Sequence, residues 1–90
     1  SNEFPDRSGI QAKATEKLQE IVKQFNIPAG RTELHVVYGP PKDQILKLAE
    51  AVDAELVIIG SHKPGFSTYL LGSTASAVVR HAKCPVLVVR

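Results

Sequence analysis

Two short apolar runs, Leu56-Val57-Ile58-Ile59 and Val86-Leu87-Val88-Val89, constrain the fold of this chain more than any other feature. Each is too short for a helix, is rich in β-branched side chains and lacks the alternation of a half-solvated strand. Both therefore read as strands of a buried, parallel sheet. Between them, from about Ser73, the residues Ala75, Val78, Val79 and Ala82 recur at helical spacing and are expected to face inward. Parallel neighbours cannot be joined by a tight turn and need a crossover, so strand, helix and strand in this order form a βαβ unit.

The same grammar extends upstream. Ile10, Ala14, Leu18, Ile21, Val22 and Phe25 fall on one helical face, with Lys and Glu on the other. Asn26 and Pro28 are expected to end this helix, since proline disfavours helical geometry in the residue before it. Residues 33–38, with Leu34-His35-Val36-Val37-Tyr38, read as a strand closed by Gly39-Pro40-Pro41. Pro41 suits a first helical turn, and Ile45, Leu48, Ala49 and Val52 make the stripe of a helix running to about Asp53. The fold class is α/β, one domain over residues 1–90, with residues 1–8 as a flexible lead-in.

Composition narrows the function. Eleven Lys and Arg against nine Asp and Glu give a net charge of +2 with no run of either sign, which argues against nucleic-acid binding. The single cysteine, Cys84, cannot form an internal disulfide, and no segment has the make-up of a signal peptide or a membrane span. A cytoplasmic protein is expected, with no membrane partner. The chain contains no methionine, and Ser1-Asn2 reads as the remnant of a cleaved tag, so a fragment is expected.

The chemistry concentrates between residues 56 and 74. The first apolar run ends at Gly60-Ser61-His62, and a loop leads to Gly72-Ser73-Thr74 at the opening of a helix. A strand that delivers its carboxyl end into glycine, followed by small residues at a helix N-terminus, offers backbone N–H groups and a positive dipole end to an anion. Ligands of open α/β sheets settle at that edge. The candidate phosphate-binding residues are Ile59, Gly60, Ser61, His62, Lys63, Gly72, Ser73 and Thr74. A second reading makes Gly60 a tight turn and Gly72-Ser73 a helix cap with no ligand.

The motifs Gly39-Pro40-Pro41, Glu55-Leu56-Val57-Ile58-Ile59-Gly60-Ser61-His62, Leu70-Leu71-Gly72-Ser73-Thr74 and Cys84-Pro85-Val86-Leu87-Val88-Val89 occur in that order. They resemble the C-terminal two-thirds of universal stress proteins, and in particular the short bacterial members of the F and G type. The resemblance covers residues 10–90. It implies a Rossmann-like fold of the adenine-nucleotide α-hydrolase-like superfamily, with a five-stranded parallel sheet ordered 3-2-1-4-5. It also implies ATP, with Mg2+, as the ligand. In the family motif G-x2-G-x9-G-[S/T], Gly60 supplies the first glycine and Gly72-Ser73 the last pair. Lys63 stands where the middle glycine falls, and the loop is one residue shorter. A lysine there cannot match glycine's access to positive φ, though its ammonium could meet a phosphate as a point charge.

The resemblance also implies a gap. The family's first strand, whose terminal aspartate approaches the adenine and ribose, and its second strand have no counterpart here. Residues 33–38 would be strand 3 and residues 56–59 strand 4, which are not neighbours in that order. Three arrangements are open: another segment of the same protein completes the sheet, which is the expectation; a second chain does so; or strands 3 and 4 pair directly. The final strand, Val86 to Val89, is expected to pair across a two-fold axis in a homodimer, the alternative being a plain core strand.

Other polar residues carry less. His62 reads as a phosphate contact or a locally bonded turn residue, and His35 as a surface-facing alternate. Arg80 and His81 suit the last turn of their helix through the dipole. Cys84 reads as a small apolar residue entering a strand, and Ser67, Thr68 and Tyr69 as a polar turn. No nucleophile is paired with a base and no Walker lysine follows the glycines. Binding is therefore expected rather than enzymatic turnover, with any ATP hydrolysis slow and incidental. The expected function is a nucleotide-dependent stress sensor. The alternatives are a nucleotide-free dimerisation module and, more remotely, a nucleotide α-hydrolase.

Overall fold

The computed structural model describes residues 7–60 and 71–89. Its elements are α1 (Arg7–Gln24), a 3-10 turn (Ala29–Arg31), α2 (Pro41–Ala51), β1 (Val57–Gly60), α3 (Ser73–His81) and β2 (Val86–Val89). The chain divides into two compact parts, Ser1–Val37 and Tyr38–Arg90.

In the first part, α1 half-buries Ala14, Thr15, Leu18 and Val22, the middle of the expected stripe, and leaves Ile10, Ile21 and Phe25 exposed. The helix begins at Arg7, inside the expected lead-in. It stops where Asn26 takes φ +54°, a left-handed conformation that asparagine tolerates. Pro28 then accepts the Arg31 N–H at 3.0 Å to open the 3-10 turn.

Residues 33–38 correct the sequence reading. Leu34 and Val36 are half-buried while Glu33, His35 and Val37 are exposed, the period-two pattern of a strand. Yet the sheet among the described residues contains β1 and β2 alone. A strand is held by a neighbour's backbone, and here the Val36 carbonyl accepts from the Gln11 side chain at 3.4 Å. His35 is exposed as expected, 3.7 Å from the Glu33 carboxylate.

In the second part, Pro40 is the N-cap of α2 and Pro41 its first residue, where a missing N–H costs nothing. Gly39 precedes them at φ +129°, and the Gln44 amide lies over it. The helix half-buries Ile45, Leu46, Leu48 and Ala49 and ends at Ala51. Asp53 turns left-handed at φ +53°, and the Ala54 N–H donates to the Ala49 carbonyl at 2.9 Å, closing the helix two residues before its expected end. Val52 is therefore a C-cap residue, 53% exposed, rather than part of the stripe.

Strand β1 starts one residue later than expected, at Val57, leaving Leu56 exposed. It pairs in parallel with β2: Val57 opposite Val86, Ile58 opposite Leu87, Ile59 opposite Val88 and Gly60 opposite Val89. Helix α3 supplies the crossover and packs against α2 and β2. Ala75 and Val78 are the buried apolar side chains among the described residues, with Val78 fully inaccessible. Val79, expected to face inward, is 46% exposed. One sheet face (Val57, Ile59, Val86, Val88) is half-buried and the other (Ile58, Leu87, Val89) is exposed. The two strands thus bury one face of their apolar runs rather than both.

Candidate functional site

The site is assembled by β1 and α3. The crossover runs from the carboxyl end of β1 to the N-terminus of α3, so Gly60 and Gly72 both belong to the carboxyl edge of the parallel pair, the edge at which α/β sheets take ligands. Gly60 is the last residue of β1 and is exposed; Ile59 beside it is half-buried with the inner face. Ser61, His62 and Lys63 lie outside the described residues, as do Ser67, Thr68, Tyr69 and the rest of residues 61–70.

Gly72 is the N-cap of α3, at φ −64° and ψ 160°, and no side chain caps the helix. The first backbone bond runs from the Ser76 N–H to the Gly72 carbonyl at 2.9 Å. Ser73 is therefore the first helical residue and Thr74 the second, so the reading of Ser73 as a cap is not met. The first turn carries no acidic residue, while Arg80 and His81 stand in the last turn. The positive end of the α3 dipole is thus left without a compensating carboxylate from its own first turn.

Among the described residues nothing demands glycine at either position of the site. Gly39 is the glycine with positive φ among the described residues, and a Cβ there would meet the Gln44 amide nitrogen at 2.6 Å. A Cβ on Gly60 or Gly72 would meet nothing within 4 Å among the described residues, and neither has positive φ. Gly30 is equally open, so openness alone is not diagnostic. The informative pair is two open glycines placed at the end of a strand and the start of a helix, where a backbone without Cβ lets an anion approach closely.

Sequence reasoning missed a concavity at the opposite edge. An open cavity of about 150 Å³ lies where α2 and α3 end, lined by Leu46, Ala49 and Asp53 with His81 and Cys84. At its margin Lys83 donates to the Glu50 carboxylate at 2.7 Å, which raises the Lys83 pKa above its usual 10.5. Cys84 is a half-buried free thiol. Among the described residues no group of three His, Cys, Asp or Glu side chains is placed to hold a metal, and no helix is long and apolar enough to cross a membrane.

Comparison with known proteins places this architecture. The model of the universal stress protein family matches residues 2–90. Universal stress protein G of Shigella flexneri is 49% identical over 81 residues, covering 90% of this chain and 57% of that protein. Universal stress protein G of Salmonella typhimurium is 47% identical over the same shares. Universal stress protein A homolog 2 of Coxiella burnetii is 41% identical over 78 residues, 87% of this chain and 52% of that protein. The chain thus spans little more than half the length of these curated relatives.

Proposed function

The chain belongs to the universal stress protein family, and on that premise we propose that it contributes the phosphate-binding half of an ATP site in a stress-response protein. The observation that carries the proposal is the pair Gly60 and Gly72, at the end of β1 and the start of α3 and required by neither backbone geometry nor packing among the described residues. A phosphate supplies the missing reason for glycine at both places, because its oxygens accept from main-chain N–H groups that a Cβ would shield. Gly60, Ser61 and His62 would meet one side of the phosphates, Gly72, Ser73 and Thr74 the other, with Lys63 as a point charge. Mg2+ would enter with the triphosphate.

Within this reading ATP is a ligand that biases shape or partners, not a substrate under rapid turnover. We also propose a homodimer in which the edge of β2 away from β1 meets its two-fold mate. Sedimentation of the intact protein is expected to give twice the protomer mass, and a monomer at micromolar concentration would contradict it. A nucleotide-free dimerisation module is the second reading, favoured by Lys63 in place of the motif's middle glycine. The two separate on ATP affinity: the intact protein is expected to bind, and Gly72→Val to lose binding. No affinity up to about 1 mM, a free energy near 4 kcal/mol, would leave the module.

A further inference from the structure

We draw no further inference here: the strongest candidate, the exposed apolar face of the two-stranded sheet formed by Ile58, Leu87 and Val89, carries nothing because nothing in the structure shows what covers it.

Discussion

Gly39 and Gly60 are the same residue type in opposite surroundings, and substitution is expected to separate them. Gly39→Ala forces a side chain into positive φ and against Gln44, and is expected to destabilise by about 1–3 kcal/mol in chemical unfolding. Gly60→Ala meets nothing within 4 Å among the described residues and has no positive φ, so its cost should stay within about 0.5 kcal/mol. Under the proposed function its effect is expected in ATP binding instead. Obstructing even one charge-assisted hydrogen bond to phosphate, worth about 1.5–3 kcal/mol, weakens affinity tenfold or more. Equal loss of stability in both variants would remove the argument that Gly60 serves a ligand.

Lys83 gives a residue-level test of the α2–α3 end. Its pKa is raised because the hydrogen bond and charge of Glu50 favour the ammonium. Stability from this pair is therefore fully present below pH 10.5 and is lost as pH climbs through the higher folded value. Both partners are exposed, so the contribution is small. NMR titration of the Lys83 side chain should show its pKa falling toward 10.5 in Glu50→Gln; an unchanged value would mean that the pair does not form in solution.

At the scale of elements, periodicity located helices because it is a local property, and it failed where the chain leaves the helix. Val52 has the spacing of the α2 stripe, but Asp53 turns left-handed and places it at the C-cap. Val79 follows Val78 in sequence yet lies about 100° round the helix, so Val78 is buried while Val79 is 46% exposed. Val78→Ala should thus cost about 2 kcal/mol, from two buried methyl groups and the space they leave. Val79→Ala should cost less than half of that. Comparable losses in thermal unfolding would place the α3 core wrongly.

Strand pairing was the least legible element property. Residues 33–38 show a strand's alternation in composition and in burial, but a ladder depends on a neighbour that the segment's own residues do not encode. Strands β1 and β2 pair because each has the other with α3 as crossover, and in the order implied for the family they are the adjacent fourth and fifth. The site shows the same division. Glycine after a strand and before a helix was visible in the sequence. That Gly72, not Ser73, is the cap needed backbone angles.

At the scale of the whole molecule, the chain represents only part of a universal stress protein. It spans 57% of the length of universal stress protein G. The central claim is that the carboxyl edge of β1 and α3 holds the phosphates of ATP. Calorimetric titration of ATP into the intact protein, beside Gly72→Val with its thermal stability verified, tests it most directly. The account predicts saturable binding by the unsubstituted protein, weakened at least about tenfold by the variant at equal fold stability. Binding unaltered by Gly72→Val, or no binding by either protein, would contradict it.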